Sequence, residues 1–200
     1  MKFDTRLKIV FGIMCLMPVS RLVFLAFTVG LGANPIEKII HTTGDWALNF
    51  LLLTLAITPF CRLTGLSWPA KLLKLSGLFS FFYAGLHFIA YVVLDQGLFW
   101  PAIIDDIVRH KRMAVGFASL LLLVPPAVGS IGGVKRRLGY TRWKYLQSTA
   151  YAAAAGGVIH YLWLVKLDTR RPLAYAAVLC ILLGYRVLAY LLKQRKNTPG

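Results

Sequence analysis

Charge is scarce in this sequence: 15% of its 200 residues are charged, against roughly 25% in a soluble domain. Acids are the scarcest, seven against 23 lysines and arginines, and most sit in connecting segments or at the ends. That argues against paired-carboxylate acid–base hydrolysis inside the apolar body. Cysteine is sparse too. Cys15, Cys61 and Cys180 share no close spacing, which excludes a disulfide framework or a thiolate metal cluster and leaves small packing residues. No Gly-x-Ser-x-Gly, His-Glu-x-x-His, Walker loop or Gly-x-Gly-x-x-Gly is present. No complete active site is legible, and a nucleotide-binding or large catalytic module is expected on another protein.

Apolar residues are abundant: 58% of the chain, with a mean hydropathy of +0.67. They come in long blocks, and a bilayer-spanning helix needs about 20 such residues. The blocks predict spans at Lys8–Thr28, Asp45–Phe60, Leu75–Leu94, Met113–Ser130, Tyr145–Val165 and Leu173–Leu192. Turn formers mark the links: Gly30 to Pro35, Trp68-Pro69, Trp100-Pro101, Gly129 to Gly133 and Arg171-Pro172. Asp45 reads as the N-cap of the second span, and Pro125-Pro126 as a bend or end of the fourth. Lys2, Arg6 and Lys8 precede the first run like a signal peptide. That run is long enough to span, and Leu31 to Pro35 is a poor cleavage site, so a retained helix is expected. The fold class is an all-α integral membrane protein, a six-helix bundle over residues 1–192 with a polar tail at 193–200.

The net charge of +16 follows from loop lysines and arginines, which fix orientation and meet anionic lipid, so no nucleic-acid partner is expected. Basic residues crowd one side: Lys2, Arg6 and Lys8; Arg62, Lys71 and Lys74; Lys135 through Lys144; Arg186 through Lys196. The other side, with Lys38, Arg109 to Arg112, Lys166, Arg170 and Arg171, has about half as many and also holds Glu37, Asp95, Asp105, Asp106 and Asp168. The richer side faces the cytoplasm, which puts both termini inside.

An ionisable side chain within a span is costly and marks a candidate site. His87 lies eight residues before Asp95, and His160 eight before Asp168, on helices of the same direction. At about 1.5 Å rise per residue both imidazoles share one depth in the outer half of the membrane. Two neutral imidazoles on different helices suit the axial positions of a haem iron. Gly85 and the run Ala152 to Gly157 offer helix faces without bulk. The competing reading has each histidine bonded to a neighbouring helix, with the small residues serving close packing. His41 and His110 fall near water. Arg21, inside the first span, either snorkels outward or meets a propionate or quinone head group.

At these residues the chain resembles a known family. Leu31-Gly32-Ala33-Asn34-Pro35-Ile36-Glu37, His41-Thr42-Thr43-Gly44-Asp45-Trp46, Thr58-Pro59, Leu86-His87, Lys135-Arg136-Arg137-Leu138-Gly139, Trp143-Lys144 and His160-Tyr161-Leu162-Trp163 are similar to the MsrQ (YedZ) family. These are haem-binding membrane subunits within the ferric-reductase-like transmembrane superfamily. The resemblance covers nearly the whole chain. It implies b-type haem with His87 and His160 as ligands, associated flavin (FMN), and a bacterial inner-membrane location. It also implies electron delivery from membrane quinone to a periplasmic molybdopterin-containing methionine sulfoxide reductase. One position departs from the pattern: Gln147 stands where the family has a further histidine, thirteen residues before His160. That spacing, about 20 Å along a helix, suits a second, inner haem. A glutamine amide is a poor iron ligand and Lys74 a poor substitute, so one haem, the outer, is expected. A stand-alone ferric or flavin reductase would need a nucleotide module absent from the sequence. A transport or assembly protein with structural histidines is the remaining alternative.

Overall fold

The computed structural model describes residues 3–165 and 167–197. Lys2, Lys166, the side chains of Arg195 and Lys196, and the tail beyond Asn197 lie outside the described residues. Seven α-helices are present among them: α1 Phe3–Phe27, α2 Pro35–Thr64, α3 Leu73–Ala90, α4 Trp100–Arg109, α5 Lys111–Gly129, α6 Val134–Leu164 and α7 Arg170–Asn197. A 3-10 turn at Trp68–Leu72 and a π-turn at Tyr91–Asp95 extend α3 at its two ends. Five rods are long and apolar enough to cross a membrane: Asp4–Phe27, Pro35–Thr64, Trp68–Asp95, Lys111–Gly129 and Arg170–Gln194.

The expected fifth span lies in α6, where Gln147, Ser148, Thr149 and His160 dilute the apolar character. Yet α6 runs antiparallel beside α5 from end to end. Trp143 bonds the Gly129 carbonyl at one extreme, and His160 bonds that of Arg112 at the other. Before its membrane stretch α6 breaks at Gly139 (φ 74°, ψ 165°), a conformation open to glycine, so Lys135 to Leu138 form a separate basic turn.

Two expectations fail for identifiable reasons. The second helix starts at Pro35, well before Asp45. The Asn34 side chain accepts from the Glu37 N–H (3.3 Å) and donates to its carboxylate (2.7 Å), capping the helix, and Pro35 suits the first turn. Thr43, which looked like part of a helix entry, returns its hydroxyl to the Ile39 and Ile40 carbonyls. Asp45 is therefore an interior residue and caps nothing. Trp100-Pro101 opens α4, a short helix no apolar block announced. It places Ile103 against Tyr91 and Val92, while Trp100, Ile104 and Val108 remain exposed along one stripe.

The core lies between α2, α5, α6 and α7, with Leu48, Leu51, Leu52 and Leu55 meeting Leu123, Ala153, Ala154, Val158 and Leu179. Outward faces are apolar as well; on α1, Ile13, Met17 and Phe24 are each more than 60% exposed. A surface of that kind belongs against hydrocarbon.

Prolines inside the helices free backbone groups that hydrocarbon cannot satisfy. Pro59 leaves the Leu55 carbonyl without its helical donor, and Arg186 of α7 supplies Nη2 at 2.8 Å. Pro126 does the same to Leu122, whose carbonyl takes the Thr149 hydroxyl at 2.7 Å. Pro125-Pro126 thus sit within α5 without ending it. At Pro18 the Tyr83 hydroxyl enters the ladder of α1, donating to the Cys15 carbonyl (2.8 Å) and accepting from the Val19 N–H (3.3 Å). Arg186, counted above with the cytoplasmic loops, stands instead within the bundle, also bonded to the Tyr151 hydroxyl and lying over its ring.

Arg186→Leu should therefore destabilise the detergent-solubilised chain by about 1–3 kcal/mol. Adding Pro59→Ala, which gives Leu55 a backbone donor again, should recover part of the loss. Strictly additive losses in denaturant unfolding would contradict the pairing.

Candidate functional site

Side chains of α3 reach the carbonyls of α2 as a seam. Ser76 donates to Phe50 (3.1 Å), Ser80 to Ala47 (3.0 Å), and His87 Nδ1 bonds Ile40 (2.9 Å). On the other side α6 treats α5 alike. Trp143 bonds Gly129 (3.0 Å), Gln147 bonds Pro126 (3.2 Å), and His160 Nδ1 bonds Arg112 (2.7 Å). Each seam ends in a histidine near the first residues of the partner helix, at the same end of both pairs.

A carbonyl oxygen only accepts, so Nδ1 carries the proton in both rings and Nε2 of the neutral imidazole keeps its lone pair. Both histidines line one cavity of about 910 Å³. Their ring centroids are 6.2 Å apart and their planes stand at 84°. Two imidazoles bound through Nε2 to one metal, each at about 2 Å, hold their centres roughly 6 Å apart. The donor set and the separation fit a six-coordinate haem iron. Hydrogen-bonding of each histidine to a neighbouring helix, the competing reading, is also observed, but it engages Nδ1 alone.

The cavity walls are mixed. Leu48, Leu51, Phe88, Phe117 and Leu123 supply apolar surface, Ala153 and Gly157 a face without bulk, and Glu37, Asp95, Asp105 and Asp106 the polar mouth. Gly157 lies on the cavity wall, although a methyl there would also stand 3.0 Å from Leu48 of α2. Gly85 and Gly156 are not on that wall; Gly85 faces open space and Gly156 packs on Ser119 of α5. His41 and His110 stand at the mouth, beside Glu37 (3.6 Å) and Asp106 (2.7 Å). Asp45 faces Arg171 at 3.5 Å and accepts from Tyr161.

Arg21 lies elsewhere. It lines a smaller cavity of about 380 Å³ between α1 and α2, with Lys38, Thr42 and Trp46, away from both histidines. Gln147 is not on the wall of the larger cavity; its amide is committed to the Pro126 carbonyl. Lys38 to His41 and Asp105 to Arg112, on the side with fewer basic residues, fall largely within helices α2, α4 and α5.

Sequence reasoning missed Gly44 and Gly116. A methyl on Gly44 would stand 3.0 Å from His87 Nδ1, and one on Gly116 only 2.6 Å from His160 Nδ1 and Cε1. Each glycine follows by four residues the carbonyl that its histidine bonds, a relation visible only once the helices are packed. It also missed the Asp106 bridge, whose carboxylate accepts the Tyr91 hydroxyl (2.7 Å) from the π-turn and meets His110 Nδ1.

Residues 43–158 match the model of a family described as the ferric reductase like transmembrane component. The matched stretch includes His87 and stops just short of His160. Among curated proteins the chain is 40% identical over 195 residues to one from Herminiimonas arsenicoxydans, covering 96% of this chain and 89% of that one. It is 46% identical over 167 residues to one from Rhodospirillum rubrum (84% and 80% covered). With one from Xanthomonas euvesicatoria it shares 45% over 173 residues (84% and 79%). All three are named haem-binding subunit MsrQ of a protein-methionine-sulfoxide reductase.

Asp106→Asn removes one of the two acceptors that tie α4 to the π-turn and to His110. A loss of about 1–2 kcal/mol should speed amide exchange across residues 100–110 roughly tenfold, read by hydrogen–deuterium exchange mass spectrometry. Unchanged exchange there would show that Ile103 alone holds α4.

Proposed function

This chain belongs to the ferric-reductase-like transmembrane family and, within it, to the MsrQ haem-binding subunits, and from that premise we propose that it is a membrane electron-transfer subunit. It would take electrons from the quinone pool, directly or through FMN, and pass them to a periplasmic molybdopterin-containing reductase that repairs oxidised methionines. In this reading residues 1–192 form one six-crossing domain of the bacterial inner membrane, α6 crossing beside α5, with both termini and the tail 193–200 in the cytoplasm. The observation that carries it is the pair of imidazoles 6.2 Å apart on one cavity, each with Nδ1 bonded to a helix carbonyl.

His87 and His160 would hold a haem b through Nε2. The group supplies a one-electron Fe(III)/Fe(II) couple when bound. The protein's own contribution is placement. Hydrogen bonds from Nδ1–H raise the basicity of each ligand and fix ring and tautomer, the usual outer-shell arrangement of metal-bound histidine. The apolar walls exclude water from the centre of the cavity, which lowers the reorganisation that a change of charge demands. The site lies at the level of the Ile40 and Arg112 carbonyls, near the N-terminal ends of α2 and α5, which in this reading face the periplasm. That position shortens the path to a periplasmic acceptor. Gln147, bonded to Pro126, supplies no imidazole to an inner haem, so one haem per chain is expected.

Purified chain expressed with haem supply should show a low-spin Soret band and about one haem per protein by pyridine haemochrome. His87→Ala and His160→Ala should each lose the low-spin signal, and quinol-driven reduction of the periplasmic partner in proteoliposomes should fall at least tenfold. A colourless wild-type preparation would favour the structural-histidine reading. Low-spin spectra retained in both variants would remove the ligand assignment.

A further inference from the structure

The two histidine settings are built on one plan. In the α2–α3 hairpin, His87 bonds the Ile40 carbonyl from 47 residues away in sequence, and Gly44 follows Ile40 by one helical turn. In the α5–α6 hairpin, His160 bonds the Arg112 carbonyl from 48 residues away, and Gly116 follows Arg112 by one turn. Both glycines are helical, where alanine would be favoured by about 1 kcal/mol. Close helix packing is the ordinary reason for glycine in a membrane helix. It does not apply here, because the three heavy atoms nearest to a methyl on Gly44 or Gly116 are all histidine ring atoms. The space left by each missing side chain is the space its imidazole occupies.

We infer that Gly44 and Gly116 are positioning residues: in a repeated helical hairpin each seats one imidazole against the partner helix, and together they set the two ring planes perpendicular. The inference rests on the haem-ligand reading above and deepens it. Each of these rings bonds the carbonyl of residue i while lying over residue i+4, because a carbonyl inside a helix points along the axis towards the next turn. With glycine at i+4 the ring lies against bare backbone, and its plane is dictated by the helix beneath it. Two such helices, carrying the same device, leave the planes at 84°. Perpendicular imidazoles on one ferric iron donate into different d orbitals and keep these close in energy. The signature is a single large-g feature in electron paramagnetic resonance, where parallel planes give a rhombic three-line spectrum.

The test uses the full-length, haem-loaded protein in its ferric state. The wild type should show the large-g feature. Gly116→Ala, whose methyl would stand 2.6 Å from two ring atoms, should lose that feature through a rotated or displaced ring, or lose haem while still eluting as a monodisperse species. Gly44→Ala, with contacts of 3.0 and 3.1 Å, should show a smaller shift in the same direction. It decides alone should the other variant fail to accumulate. Gly85→Ala, on the same helix as His87 but with open space around the new methyl, should superimpose on the wild type. A rhombic wild-type spectrum, or alanine variants at 44 and 116 that both superimpose on the wild type, would overturn the inference while leaving the ligands in place. Low-spin haem surviving in both His87→Ala and His160→Ala would instead overturn the ligand reading, and this inference with it.

Discussion

Hydrocarbon offers a backbone carbonyl no partner, and that one constraint organises the whole bundle. Carbonyls freed by Pro59 and Pro126 are taken by Arg186 and Thr149, and the ladder opened near Pro18 is closed by Tyr83. Elsewhere Ser76 and Ser80 reach carbonyls inside α2 that already serve the helix, while Trp143 and Gln147 take carbonyls in the last turn of α5, which the helix itself leaves open. The histidines follow the same rule, each spending one nitrogen on a neighbouring helix. Structure and chemistry are therefore carried by one kind of contact. A serine in this role fastens two helices; a histidine fastens them and still has a lone pair to offer.

Much of this was legible in the sequence because membrane physics is one-dimensional. Block length sets the spans, and the equal spacing of His87 from Asp95 and of His160 from Asp168, eight residues each, puts the two rings at one expected depth. What depth could not reveal was azimuth. Whether two rings at one level face each other depends on which side of each helix they leave, and that is decided by the seams to α2 and α5. Gly44 stayed hidden because Asp45 read as the N-cap of the second span, which left Gly44 outside the helix, whereas Asn34 and Glu37 start it earlier. The short helix α4 was hidden by its length, since ten residues cannot span and so leave no hydropathic mark. Arg186 was misplaced because charge counting assumes that a cation seeks water, whereas this one is held by a proline's orphaned carbonyl.

Gln147 fills a seam position without an imidazole. Its amide reaches the Pro126 carbonyl as the histidines reach theirs, and a methyl on Gly129 would come within 2.9 Å of it. An amide can thus fasten two helices as firmly as a ring. It has no second nitrogen to offer a metal.

The duplicated hairpin also has a consequence for biogenesis. The ribosome releases the first hairpin, with its glycine seat and its imidazole, before the second exists. About seventy residues separate the two histidines, roughly 4–15 s of synthesis at ordinary elongation rates. During that interval α2 and α3 can settle in the bilayer as a preformed half-shell. A porphyrin arriving early would meet a single ligand and a greasy wall; one arriving late would have to enter a closed bundle. A cofactor held between these two histidines would find its site complete only once α6 had emerged.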